Sequence, residues 1–368
     1  MGNKGKPVIY VIYSLLSLCV GMWSAPDLEM IHSAYDFEPE AFSSLEESRS
    51  RNPDDAFASF LHASACFWQY LVDEPDAVKR DRAEIEMEAS VELAERDYRE
   101  DPSSPDKAFL YGVSLCNVAR FYLEEKSWWS AYRRASRGLA VLEDLIRREP
   151  ECYDAYFAVG VSMSFLDDVP LFLRPFSYLM GVRGDAKQGM KYLKLAREKG
   201  RWTEIESAFY MGYYHFSVTH DAEQGKLVFD ELRQRFPGNP AFGYFYGRCV
   251  QLSGDPLGAA GIYEKAWSLA WEKGAKDLAY ECRFRLAEIL KGEKSYVEAM
   301  EEYVGLHGMI LPEYGKMRYA WILPLRIGQC HAETGDIDAA REWLEKAAGD
   351  SESRREARRL LKSLSRRD

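Results

Sequence analysis

LRIGQCHAETGDIDAAREWLEKAAG, residues 325–349, carries the pattern that decides the fold. Gly328 sits inside an apolar helical stretch, and Gly335-Asp336 interrupts it. Ala340, Leu344 and Ala347 then recur at intervals of four and three, the spacing of one face of an α-helix. The segment therefore predicts two short helices joined by a tight turn. Each has small residues where the two would cross, and small residues bring helix axes to the near end of about 8–10 Å.

The same arrangement recurs upstream. Small residues of the second helix fall at Ala41, Ser90, Gly138, Gly189, Gly225, Ala259, Ala299 and Ala340. Four positions later stand Leu45, Ala94, Leu142, Leu193, Phe229, Tyr263, Tyr303 and Leu344. First-helix small residues match them at Ala63, Gly112, Gly160, Gly212, Gly247, Ala287 and Gly328. Pro53, Pro102, Pro150 and Pro237 each follow their second-helix marker at an offset of twelve. Proline lacks the N–H and turns the residue before it away from helix, so it closes each pair.

These pairs resemble the tetratricopeptide repeat, whose period is about 34 residues. The resemblance implies an all-α fold, a right-handed superhelical array of antiparallel helix pairs with about eight repeats. Each pair leaves an apolar face that only its neighbour buries. Steps between second-helix markers are 49, 48, 51, 36, 34, 40 and 41, so the N-terminal half carries longer helices or insertions. The expected organisation is an export signal or anchor at 1–25, irregular repeats at 26–150 and a repeat with an apolar insertion at 151–204. Regular repeats follow at 205–350, then a basic capping helix at 351–368. The last segment reads either as the solvated cap that solenoids require or as a basic contact for an acidic partner or lipid headgroups.

Among 368 residues, 48 Lys and Arg stand against 59 Asp and Glu, a net charge of -11 that argues against nucleic acid as partner. Lys4 and Lys6 precede an uncharged run from Val8 to Ala25, the outline of an export signal. Localisation is thus expected to be exported, periplasmic or cell-envelope. A cleaved signal, lipidation at Cys19 and a single retained anchor all stay open, and the N-terminus is the expected point of any membrane attachment. Seven cysteines are scattered without a C-x-x-C pair or His at ligand spacing, so they read as small core hydrophobes and imply no metal.

No catalytic pattern emerges. In Gly184–Lys191 the spacing of a phosphate loop is met, but Met190 stands where Lys is needed. Asp185 reads instead as a helix N-cap. His215 and His331 each follow a repeat glycine by three residues, a core position. No H-E-x-x-H and no nucleophile elbow occurs. The sequence therefore predicts no enzyme and no cofactor.

What it offers is a groove. The curved array has a concave face, and aromatic residues exceed what one helix stripe needs. Tyr213, Tyr214, Tyr244 and Tyr246 are candidate groove residues. Between Gly160 and Gly189 lie 29 positions against 12 in the last repeat, so 165–181 is an insertion of 17 residues. Its Leu171, Phe172, Phe176 and Tyr178 are candidate lid residues, with Pro175 expected in or beside a short helix near the groove entrance. A protein or peptide is the expected partner. The alternative is a small-molecule or lipid carrier with 165–181 closing an apolar pocket.

Residues 150–210 carry a narrower likeness: Pro150, Tyr153, Asp154, Ala155, Tyr156 and Gly160, then Pro170, Leu173, Pro175, Leu179 and Gly181, then Gly184-Asp185, Gly189, Leu193, Ala196, Gly200 and Glu206-Ser207-Ala208. This is similar to a family of exported bacterial tetratricopeptide proteins. More distantly it is similar to the tetratricopeptide 39 and mitochondrial outer-membrane inclusion-clearance proteins. The resemblance implies the fold and an adaptor role, and no catalytic residues.

Overall fold

The computed structural model describes residues 25–73, 76–165, 185–310 and 321–365, and the chain divides into two compact units, 1–242 and 243–368. Among the described residues there are seventeen helices and no strand. In the first unit these are α1 Ala25–Tyr35, α2 Pro39–Arg51, α3 Ala56–Leu71, α4 Ala77–Glu100, α5 Pro105–Glu124, α6 Trp128–Arg148, α7 Ala155–Phe165, α8 Ala186–Lys199, α9 Glu204–Ser217 and α10 Ala222–Arg235. Helix α11 Pro240–Leu252 starts at its end. The second unit continues with α12 Pro256–Glu272, α13 Lys276–Gly292, α14 Tyr296–Met309, α15 Leu323–Thr334, α16 Ile337–Gly349 and α17 Arg354–Leu364. Successive helices pack as pairs in the order the repeat markers predict.

The small residues do stand at the crossings. A Cβ on Gly138 would lie 2.7 Å from the carbonyl oxygen of Gly112, and one on Gly189 would lie 2.7 Å from that of Gly160. At these two crossings backbone meets backbone. Second helices end two residues before Pro53, Pro102, Pro150 and Pro237. Helix starts are fixed by side chains: Asp55, Asp76, Ser104, Asp185, Asp221, Asp255 and Asp336 each accept backbone N–H groups of the first turn.

Within the first unit the N-terminal segment reaches far along the chain. The Tyr35 ring lies edge-on to Trp68 at 5.6 Å and against Phe236 at 5.8 Å, and its hydroxyl bonds Glu206. Asn239 Nδ2 donates to the Tyr35 carbonyl at 2.7 Å, and the Gly238 N–H donates to Asp36 Oδ1 at 2.6 Å. Residues 35–37 thus strap the second pair to the loop after α10. With this cover, every residue of α3 except Gln69 is buried.

A second tie joins α7 to the α8–α9 turn. Buried Asp154 accepts the N–H groups of Trp202 (2.9 Å), Thr203 (2.9 Å) and Arg201 (3.2 Å), and the Thr203 hydroxyl (2.8 Å). Gly200 passes so close that a Cβ would lie 2.8 Å from Asp154 Oδ1.

Candidate functional site

In the second unit the first helices of successive pairs carry a row of polar side chains, joined by hydrogen bonds into two groups. On α11, Arg248 Nη1 donates to the Tyr244 hydroxyl at 2.9 Å, and that hydroxyl donates to Glu281 Oε1 on α13 at 2.8 Å. Arg285 Nε reaches the same carboxylate oxygen at 2.6 Å. One turn on, Glu288 receives Arg326 Nε of α15 at 2.7 Å and Nη2 at 3.3 Å, and also the Tyr303 hydroxyl. Arg326 Nη1 donates to Gln329 Oε1 at 3.1 Å, and Gln329 Nε2 donates to Glu356 Oε1 on α17 at 2.9 Å.

Helical spacing makes this row. Glu281, Arg285 and Glu288 stand at i, i+4 and i+7, one stripe of α13. Arg285 and Arg326 each precede the small crossing residue of their own helix, Ala287 and Gly328, by two positions. The two arginines therefore occupy equivalent places in adjacent repeats. Their side chains are 16% and 18% exposed, against 25% for Glu288 and 1% for Glu281. Glu281 is thus the inner partner of Arg285, whereas Arg326 and Glu288 are both partly exposed, and each guanidinium group keeps a narrow open edge.

Burial opposes charge at these positions, yet ion pairing wins. Desolvation pushes the Glu288 carboxyl up, but Arg326 and the Tyr303 hydroxyl bring it below its usual range. Desolvation works against Arg285 and Arg326 too, and Glu281 and Glu288 hold both guanidinium groups above their ordinary values. Lys291 beside them is lowered by burial and by Arg326. Burial pushes the Cys330 thiol up to about 11. The chemistry available is a fixed set of charge-assisted donors and acceptors, suited to holding amides and carboxylates.

One further cluster has the residue types of a nucleophilic relay. Cys66 Sγ lies 3.6 Å from His62 Nε2, and His62 Nδ1 lies 3.3 Å from Glu86 Oε2. The geometry is that of packing. Burial pushes the Cys66 thiol up to about 12, whereas a nucleophilic cysteine needs a lowered value. Arg82 Nη2 also lies 3.3 Å from the same imidazole nitrogen, which burial already makes harder to protonate. Among the described residues no group of three His, Cys, Asp or Glu side chains is placed to hold a metal ion.

The candidate groove tyrosines fall in different settings. Tyr213 is buried and stacks on Phe209, with Phe165 and Phe216 beside it, so it belongs to the packing of α9. Tyr214 is half-buried, also against Phe165. Tyr244 is buried and serves the polar row through its hydroxyl. Tyr246 is half-buried. Leu171, Phe172, Phe176 and Tyr178, with Pro175 and the whole expected lid, lie outside the described residues, as do Cys19 and the apolar N-terminal run. Among the described residues no helix is long and apolar enough to cross a membrane. Counting aromatics missed the charged row, whereas aligning Arg285 with Arg326 on the repeat markers would have found it.

Solved structures share this architecture. A human IFIT1 dimer with PPP-AAAA is 16% identical with a TM-score of 0.50, covering 92% of this chain and 81% of that one. The human IFIT1 dimer with m7Gppp-AAAA is 14% identical with a TM-score of 0.49 and the same coverage. Yeast Tom70 is 14% identical with a TM-score of 0.43, covering 83% of this chain; the present chain spans 64% of the length of that one. No family model and no curated protein matches the sequence. At these identities the likeness is one of fold: an all-helical, tetratricopeptide-like solenoid.

Proposed function

We propose that this protein is a non-enzymatic scaffold of the cell envelope that holds an extended protein segment on the first-helix face of its second unit. The observation that carries the reading is the pair of partly exposed guanidinium groups in equivalent repeat positions, Arg285 and Arg326, fixed by the carboxylates of buried Glu281 and half-buried Glu288. Fixed donors keep their orientation when a partner arrives, so less ordering entropy is lost on binding. Their open edges suit a carboxylate or backbone carbonyls of an extended chain. The uncharged run from Val8 to Ala25 supports export, and the likeness of residues 150–210 to exported bacterial repeat proteins supports the same compartment. IFIT1 is seen with PPP-AAAA. The acidic balance of the present chain favours a peptide over such a polyanion.

The test is an array of extended peptides, with and without a free carboxyl terminus or internal acidic residues, probed with the protein and with an Arg285→Gln/Arg326→Gln variant. The reading expects carboxylate-bearing peptides to bind, and the double variant to bind them at least about tenfold more weakly. Circular dichroism of the variant confirms that its helices persist. Binding that is indifferent to both arginines refutes the assignment, as does tighter binding of a 5′-triphosphate oligonucleotide than of any peptide.

A further inference from the structure

Helix α17 presents a face that the polar row does not use. Its apolar side is seated: Ala357 and Leu364 are buried, and Leu360 and Leu361 pack on the cluster of Leu325, Ala340, Leu344 and Ala347. The Ser353 hydroxyl donates to the Ala347 carbonyl at 2.6 Å, and Arg354 donates to the carbonyls of Ala348 (3.3 Å) and Gly349 (3.2 Å). Those bonds satisfy the end of α16 and fix how α17 leaves it.

On the outer side, Arg355, Arg358, Arg359 and Lys362 stand at i, i+3, i+4 and i+7, a single stripe about 10 Å long. All four are exposed. Among the described residues none of them enters an ion pair, although exposed arginines elsewhere in the chain, such as Arg51, Arg99 and Arg147, do. The only carboxylate on the helix, Glu356, is half-buried and engaged by Gln329. A chain with net charge -11 thus gathers four unpaired cations on one helix face.

We propose that this stripe docks the protein on an anionic lipid surface, with the cations lying against headgroup phosphates. Charge complementarity is the recognising chemistry. The stripe holds no aromatic ring to stack a base and no Asn or Gln to read one, which single-stranded nucleic acid recognition uses. Being the outer face of one straight helix, it recognises charge density and not side-chain shape. A sheet of phosphates supplies that density, and each basic residue near such a surface adds to the attraction. With its apolar side already buried in the solenoid, α17 rests on the headgroups without inserting. Negative charge over the rest of the chain is repelled by the same surface, so the contact also sets orientation.

Vesicle flotation with the full chain tests this, comparing phosphatidylcholine alone with phosphatidylcholine carrying about 30 mol% phosphatidylglycerol. The apolar N-terminal run adds equally to both, so the ratio of the two affinities isolates the electrostatic contact. The wild-type chain is expected to favour the anionic vesicles at least about tenfold. That preference disappears in about 0.5 M salt and in an Arg355→Gln/Arg358→Gln/Arg359→Gln/Lys362→Gln variant. All four side chains are exposed and outside ion pairs, so the variant keeps its melting temperature. Equal wild-type affinity for both vesicles overturns the proposal, and so does an anionic preference that survives in the variant. Tighter binding to single-stranded RNA than to the anionic vesicles overturns it in favour of nucleic acid. Arg285 and Arg326 are untouched, so failure here leaves the peptide reading standing.

Discussion

Replacing Asp154 by alanine removes the acceptor on which the α7–α8–α9 junction converges. Three backbone N–H groups and one hydroxyl, all within 3.2 Å of its carboxylate, lose their partner together. Trp202 and Thr203 are buried, so water does not readily replace it. A buried donor left without an acceptor costs about 1–3 kcal/mol, and the losses at one site are not additive. Part is offset. Burial raises the Asp154 pKa against the pull of its four donors, which means that the carboxylate is itself desolvated at some expense. A net loss of about 3 kcal/mol results.

Asp154→Asn separates the acceptor from the charge. Oδ1 takes three of the four bonds, and an amide oxygen placed there retains them. Only the Arg201 N–H then faces an NH2 group, a loss of about 1 kcal/mol. Differential scanning calorimetry reads both variants. For a cooperative unit of this size the alanine variant should melt roughly 6–12 °C lower, and the asparagine variant by about a third of that. An alanine variant within about 1 kcal/mol of wild type refutes the reasoning. Asparagine as damaging as alanine also refutes it, because the charge and not the accepting oxygen would then be what matters.

Gly138→Ala places a methyl group 2.7 Å from the Gly112 carbonyl, so α5 and α6 must separate; a loss of about 2–4 kcal/mol in urea denaturation is expected. Gly261→Ala, in α12 with nothing within 4 Å, should instead stabilise by about 0.5–1 kcal/mol. Arg326→Met removes the cation that holds Glu288 below its usual range. For a carboxyl lowered on folding, the contribution is present above the unfolded value and is lost as pH falls through the folded one. The variant's acid unfolding midpoint, followed by circular dichroism, should therefore lie at higher pH than that of wild type. An unchanged midpoint would mean that the pair adds nothing to stability.

Crossings and helix ends were legible because both obey local rules. Gly138 and Gly189 must be small wherever two backbones touch, and Pro53 or Pro237 stops a helix whatever lies beyond it. Asp185 caps its helix as expected, accepting the Gln188 N–H at 2.9 Å. The strap was not legible, since Tyr35 meets Glu206 and Asn239 across 171 and 204 residues, and no spacing rule reaches that far. Asp154 was noticed as part of a likeness, but its partners are backbone N–H groups, which have no letter in a sequence. Tyr213 drew attention as a surplus aromatic. It is buried among Phe209, Phe165 and Phe216, much as α3 lies under the cover of the Tyr35–Phe37 strap.

That cover separates what the two units can do with one repeat plan. In the first unit, α3 is buried almost all round and the Tyr35–Phe37 strap lies against Trp68, so this stretch of first-helix surface is spent on packing. In the second unit, α13 and α15 keep charged side chains at equivalent positions with an open edge. A buried ion pair is a weak source of stability, because desolvation consumes most of what attraction returns. Two arginines, each backed by a carboxylate and left partly exposed, are hard to account for by packing alone. Apolar residues of similar volume would seal those positions at least as well. Arg285 and Arg326, and not the repeat itself, distinguish this face: one repeat plan makes a wall in the first unit and a row of fixed donors in the second.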